Sequence, residues 1–214
     1  MAEGEKVVEE ILSASWECVF LFSTVPNFFP KTVLVNTAEM IKITHFKSPS
    51  PVLGVFKFPD AIFPIISNIT IAVDGVSDPG NLGTLIRLCD WFGLSELICS
   101  SSTVDCFNSK VVQASMGSIV RVQCRYEKDL STTLRDLKKP IYSADFGGES
   151  LYSSSFSEQA TIVFGSESHG ISAEIDEIVN HKISIPNFRK GRGAESLNVA
   201  IAGAIFLSEI FRGR

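Results

Sequence analysis

From residue 69 onwards the chain alternates short, almost wholly apolar runs with stretches whose apolar positions recur at helical spacing. The runs 69–73, 96–100, 120–124, 141–144, 161–164 and 182–185 are rich in Val and Ile and read as strands. Between them, 81–92, 108–116, 130–137 and 173–179 read as helices, and 196–211 closes the chain as a helix apolar on nearly every side. Continuous apolar strands separated by helices predict an α/β fold whose parallel sheet is covered on both faces.

The first third has a different texture. Residues 5–15 predict an amphipathic helix, 18–22 and 52–58 strands, and 38–45 a further helix among Pro26, Pro30, Pro49 and Pro51. Residues 59–67, with two prolines, read as a linker. Two units are expected, 1–64 and 65–214.

Composition narrows the picture. A chain of 214 residues, 45% hydrophobic, can bury a proper core, and its net charge of −5 argues against blanket electrostatic binding of nucleic acid. Local basic segments remain: Lys182, Arg189, Lys190, Arg192, Arg212 and Arg214 in the last stretch, and the run from Lys110 to Lys139. The five cysteines are odd in number with no CxxC, so neither a disulfide framework nor a zinc ribbon is expected. Cys18, Cys89, Cys99, Cys106 and Cys124 read as small buried hydrophobes of a reducing compartment. The N-terminus is charged and lacks an apolar leader, and the longest apolar run, 199–207, falls far short of the ~20 residues that span a bilayer. A soluble cytoplasmic protein is expected. Its histidines, His45, His169 and His181, have no metal-ligand spacing and define no Ser–His–Asp arrangement.

Parallel sheets of this kind bind ligands beyond the carboxyl ends of their strands, and three strand ends here carry unusual residues. After 69–73 comes Asp74-Gly75-Val76-Ser77-Asp78-Pro79-Gly80-Asn81-Leu82-Gly83, with Arg87 in the helix beyond. This loop is neither a dinucleotide fingerprint nor a P-loop. Asp78 and Asn81 suit helix capping, while the Arg87 guanidinium suits a phosphate. After 161–164 comes Gly165-Ser166-Glu167-Ser168-His169-Gly170. Taken alone, Glu167 and His169 read as solvated turn residues, although the flanking glycines allow close approach to a ligand. After 182–185, Pro186 and a polar loop lead to Ser196-Leu197-Asn198 at the mouth of the last helix. Ser196 reads as its N-cap. Asn198 is then unexplained by capping, and a buried polar group without a partner costs roughly 1–3 kcal/mol, so Asn198 points to a ligand.

Together and in this order, the segments Asp78–Arg87 with Phe92-Gly93, Val163–Gly170, and Ile185-Pro186 with Ser196–Ala200 resemble the three signature motifs of the SpoU/TrmH RNA 2′-O-ribose methyltransferases of the SPOUT superfamily. The resemblance covers about residues 69 to 212. It implies a C-terminal trefoil knot that binds S-adenosylmethionine, and an obligate homodimer. Cofactor would be held by Gly165, Ile185 and Leu197, largely through backbone groups. Asn81, Arg87, Glu167, Ser196 and Asn198 would form the catalytic shell, with Glu167 orienting Ser196 and Asn198, and no metal is implied. Residues 2–10 and 50–55 are similar to parts of a small L30e-like substrate-binding domain. The chain begins inside that domain's first helix, so the resemblance implies a unit without its first element.

The reaction implied is attack of a ribose 2′-hydroxyl on the sulfonium methyl of the cofactor. Arg87, too basic to take a proton, is expected to clamp a neighbouring phosphate. Arg189-Lys190-Gly191-Arg192 is a candidate RNA contact. The expected substrate is structured RNA, ribosomal in preference to transfer RNA because the transfer-RNA members often lack the N-terminal domain. A non-catalytic RNA-binding or ribosome-assembly factor is the competing reading, and the intact five-residue set opposes it.

Overall fold

The computed structural model describes residues 1–59, 67–189 and 196–212. Two sheets organise them. The smaller has the order β1 (Ala2–Glu3), β4 (Val52–Phe56), β2 (Cys18–Ser23), β3 (Val33–Leu34), with helices α1 (Glu5–Ser13) and α2 (Thr37–Ile43). Ala2 pairs with Gly54 and Glu3 with Leu53, so a short strand precedes the first helix. The expectation that the chain begins inside that helix is therefore corrected. Two residues are too few to leave an alternation pattern, and only their pairing reveals them.

The larger sheet runs β10-β8-β9-β5-β6-β7, with every adjacent pair parallel. Its elements are β5 (Ile69–Asp74), α3 (Pro79–Trp91), β6 (Glu96–Ser100), α4 (Ser109–Ser115), β7 (Gln123–Glu127), α5 (Leu130–Asp136), β8 (Ile141–Ser150), β9 (Ala160–Gly165), α6 (Ala173–Asp176), β10 (His181–Ser184) and α7 (Val199–Phe211). Both faces are covered, as the apolar runs predict. Ile69, Ile71 and Val73 pack in one cluster with Leu82, Leu85 and Ile86 of α3 and Phe206, Leu207 and Ile210 of α7. Ala72, Ile98, Val163 and Ile141 face a second cluster with Leu130 and Leu134 of α5 and Ile175 of α6.

The strand expected at 120–124 forms three residues later. Ser118–Val120 is a 3-10 turn, and the apolarity there belongs to Ile119 and Val122, which are buried without pairing. All five thiols are free, and burial pushes the Cys89 thiol up to about 12, so it is an inert filler of the core. Among the described residues, no helix is long and apolar enough to cross a membrane.

The two units share a core. Val112 and Val120 of the larger unit pack with Val7, Val8, Ile11 and Val52 of the smaller. Above this seam the Arg121 guanidinium bonds both oxygens of Asp90 and reaches Glu10 of α1 at 2.6 Å. The expected linker and the boundary between residues 64 and 65 lie outside the described residues.

Candidate active site

Strand order places the site. The chain steps outward through β5, β6 and β7, jumps back to β8, and returns with β9 beside β5. The crevice at such a reversal is where open parallel sheets bind ligands. Asp74 at the end of β5 lies opposite Gly165 at the end of β9, so the two loops leave side by side. Asp74 is buried at 8% exposure, and its carboxylate accepts the backbone N–H of Ser172 at 2.7 Å, pinning the end of β5 to the chain beyond the second loop. Sequence reasoning assigned it no role; a carboxylate ending an apolar strand was the available signal.

At the first loop Asp78 caps α3, accepting from the Asn81 N–H at 2.9 Å with Pro79 at the first helical position. This leaves the Asn81 side chain free. Its Nδ2 donates to Glu167 Oε1, and its Oδ1 accepts from Asn198 Nδ2 at 2.8 Å. One hydrogen-bond chain, Glu167–Asn81–Asn198, thus joins all three strand-end segments.

The role expected of Ser196 belongs to Asn198. Asn198 is the N-cap of α7, its Oδ1 accepting from the N–H groups of Ala200 and Ile201 at 3.0 and 3.2 Å. A carboxamide has two ends: the oxygen caps the helix while the nitrogen reaches Asn81. Ser196 is exposed and makes no hydrogen bond among the described residues, and Glu167 reaches Asn198 only through Asn81.

Arg87 lies two turns into α3 on an exposed stripe with Gly80, Thr84 and Trp91. It makes no ion pair or hydrogen bond among the described residues, leaving its five donors available. Other cations are engaged: Arg121 with Asp90 and Glu10, Arg125 with Glu96 and Glu127, Lys182 with Asp176 and Arg212 with Glu209. The two basic segments therefore offer less free positive charge than their composition implies. Arg189 is described and exposed, whereas Lys190 to Arg192 lie outside the described residues.

In the second loop the backbones of Ser166 and Gly170 bond in both directions at 2.8 and 2.9 Å, with Gly170 at φ 70°. A side chain on residue 165 would run into the Gly170 backbone, so the loop's own packing demands Gly165. His169 pairs with the Ser168 hydroxyl at 2.7 Å and takes no part in the three-loop chain.

A cleft of about 720 Å³ opens beside this chain, lined by Gly165, Glu167, Ile185, Ser196 and Leu197 among others. Its floor is apolar, built from Phe164, Ile183 and Phe206, each 1% exposed, and its rim is polar. The size falls within the ~300–1,000 Å³ of small-molecule sites. An apolar slot beneath a polar rim fits an amphipathic nucleoside such as S-adenosylmethionine, and Gly165, Ile185 and Leu197 all border it. Phe146, 67% exposed, overhangs the cleft because β8 bulges. Lys182 lies opposite Ser143 but Ile183 opposite Glu149, so 144–148 are pushed outward. Gly147-Gly148 was the signal for that bulge. Among the described residues no cluster of His, Cys, Asp and Glu is placed to hold a metal.

The model of the SpoU rRNA Methylase family matches residues 68–208. The chain belongs to this family. It is similar to the 23S rRNA guanosine 2′-O-methyltransferase RlmP of Bacillus subtilis, with 26% identity over 97% of this chain and 86% of that protein. With the 23S rRNA guanosine 2′-O-methyltransferase RlmB of Neisseria meningitidis it shares 31% identity, over 68% of this chain and 59% of that protein. Among solved structures, a TrmH-family protein from Porphyromonas gingivalis aligns with TM-score 0.84 and 36% identity over 99% of this chain and 89% of that one. An AdoMet-bound rRNA methyltransferase from Sinorhizobium meliloti aligns with TM-score 0.83 and 30% identity over 99% and 86%. The family expected from the three motifs is the family found.

Proposed function

We propose that this protein transfers a methyl group from S-adenosylmethionine to a ribose 2′-hydroxyl of structured RNA, ribosomal in preference to transfer RNA. The observation that carries the reading is the Glu167–Asn81–Asn198 chain beside a cleft bordered by Gly165, Ile185 and Leu197. The named relatives supply the substrate class, 23S rRNA.

The cofactor supplies an already activated methyl, so the protein's task is alignment and exclusion of water. Gly165, Ile185 and Leu197 hold the cofactor, largely through backbone groups. Glu167 orders Asn81, and Asn81 orders Asn198 at the mouth of α7. Arg87, exposed and without a partner among the described residues, clamps the phosphate beside the reacting ribose, and that phosphate receives the hydroxyl proton. Ser196 bonds the ribose from the cleft rim.

The finer architecture belongs to the same proposal: a C-terminal trefoil knot, a smaller unit of L30e type spanning 1–64, and a cytoplasmic homodimer. Support for the dimer comes from Trp91 at 83% exposure and Ile201 at 54%, large apolar side chains of α3 and the start of α7.

Isothermal titration with S-adenosylmethionine, followed by tritiated cofactor on unmodified 23S rRNA and transfer RNA, tests the reading. Label at a ribose 2′-oxygen of 23S rRNA is the expected result. Binding with no transfer to either RNA would favour the non-catalytic ribosome-assembly reading.

A further inference from the structure

The smaller sheet has one packed face and one that is half open. Leu21 and Ser23 of β2 are buried, and Leu21 joins the cluster with Val7, Val8, Ile11 and Val52. Alternation along the strand sends Phe20 and Phe22 to the opposite face. Val55 of β4 lies opposite Phe20 and Val33 of β3 opposite Phe22, so all four side chains share that face. Phe20 is 56% exposed and Val33 48%. The two phenyl rings are nearly parallel, 21° apart with centroids at 6.1 Å. Helix α2 closes only one end of the face. It starts at Asn36, just past β3, and stops where the Thr44 hydroxyl and the His45 N–H donate to the Glu3 carboxylate on β1, at 2.5 and 2.9 Å. Phe20, nearer the start of β2, stays uncovered.

An apolar face alone would suit many partners, and here the charge around it selects one. From Cys18 to Phe58 the chain has four lysines and a single carboxylate, Glu39, although the whole protein carries a net charge of −5. Glu39 is held in the capping box of α2, where it accepts from the Asn36 N–H at 2.8 Å. The neighbouring acids are engaged as well: Glu3 with Thr44 and His45, and Glu17 with Lys57 at 2.7 Å. Lys31, immediately before β3, and Lys42 of α2 are exposed and make no ion pair among the described residues.

We infer that this face binds an unpaired stretch of the substrate RNA, with a base stacked on Phe20 and phosphates met by Lys31 and Lys42. The inference rests on the reading of RNA as the substrate class and names where the smaller unit engages it. Exposed rings beside free cations match a single strand, since every base has a π-face and every linkage a negative charge. A duplex keeps its base faces inside its own stack, so it cannot use the rings. A second copy of this chain would bring the same unpaired lysines together across a two-fold contact, which like charge opposes.

The test measures fluorescence anisotropy of a labelled, unpaired RNA of about 12 nucleotides, and of its duplex, with the full chain. Phe20→Ala and Phe20→Leu are expected to weaken single-strand binding about 10-fold, the scale of one lost base stack, whereas Phe20→Trp should keep it. Lys31→Gln should lower the slope of log K against log salt by about 0.7. Duplex binding, cofactor affinity and Tm should not change, because the Phe20 ring lies mostly in solvent and far along the chain from the cofactor cleft. If Phe20→Ala and Phe20→Leu bind the single strand within twofold of wild type, the stacking face is overturned. An equal loss in Phe20→Leu and Phe20→Trp together with a lower Tm would make Phe20 structural and overturn it too. A drop in sedimentation mass on Phe20→Ala would give the face to a second subunit instead. Methyl transfer, followed separately with tritiated cofactor, keeps the two readings apart: transfer by a wild type indifferent to Phe20 strikes this face alone, and Phe20-dependent binding without transfer strikes the enzymatic reading alone.

Discussion

The Asn198 amide nitrogen donates to Oδ1 of Asn81 at 2.8 Å across 117 positions of chain, while the Asn198 oxygen caps α7. One side chain therefore both starts a helix and locks two loops together, and the two tasks can be separated. In Asn198→Asp a carboxylate still accepts from Ala200 and Ile201 and suits the helix N-terminus, but has no proton for Asn81. Tm should stay within a few degrees of wild type while kcat falls by about 10²-fold, the scale of losing one fixed active-site hydrogen bond. Calorimetry and methyl-transfer assays on the same preparation would check both. Unchanged kcat would reduce Asn198 to a plain cap.

Arg87 has no partner to lose among the described residues. Arg87→Lys should leave cofactor affinity and Tm unaltered and lower turnover by about 10²-fold, because an ammonium lacks the planar fork that grips a phosphate bidentately. Titration calorimetry with parallel turnover would decide it, and full activity would remove Arg87 from the catalytic shell.

Gly83 sits where α3 crosses α4. A Cβ there would stand 2.5 Å from the Ala114 Cβ and 2.7 Å from the Val111 carbonyl oxygen. Gly83→Ala must push the helices apart despite the better helix propensity of alanine, and about 1–3 kcal/mol of destabilisation is expected from overpacking. Urea unfolding would measure it. A stabilised variant would mean that α4 yields freely.

Burial raises the pKa of Asp90, but the hydrogen bonds and charge of Arg121 outweigh it and hold the carboxyl below the ordinary aspartate value. A carboxylate so depressed stabilises the fold above its unfolded pKa of about 4, and that contribution is lost as pH falls through the folded value. Urea midpoints should be level from pH 7 to 5 and decline below about pH 4. In Arg121→Ala the part of the decline due to Asp90 should shrink, an effect best seen at low salt.

If the exposed apolar residues of α3 and α7 form a dimer seam, Trp91→Lys combined with Ile201→Asp should convert a dimeric wild type to monomer in sedimentation velocity while leaving the far-UV circular dichroism intact. A monomeric wild type would discard the seam.

Much of this was legible in the residues. The apolar runs and helical spacing determined the α/β class and most elements of the larger unit, because period and burial are local properties of a strand or helix. Composition and spacing within the three loops singled out Arg87 and Asn198, and the resemblance of the loops to the family's motifs implied Asn81, Glu167 and Ser196 beside them. Where the strand order turned back, and that Asn81 is the hub between Glu167 and Asn198, depended on β9 returning beside β5, a contact between segments about ninety positions apart. Local sequence sets which groups a segment can offer; only long-range pairing decides which of them meet, since a hydrogen bond needs its partners within about 3 Å whatever their separation along the chain.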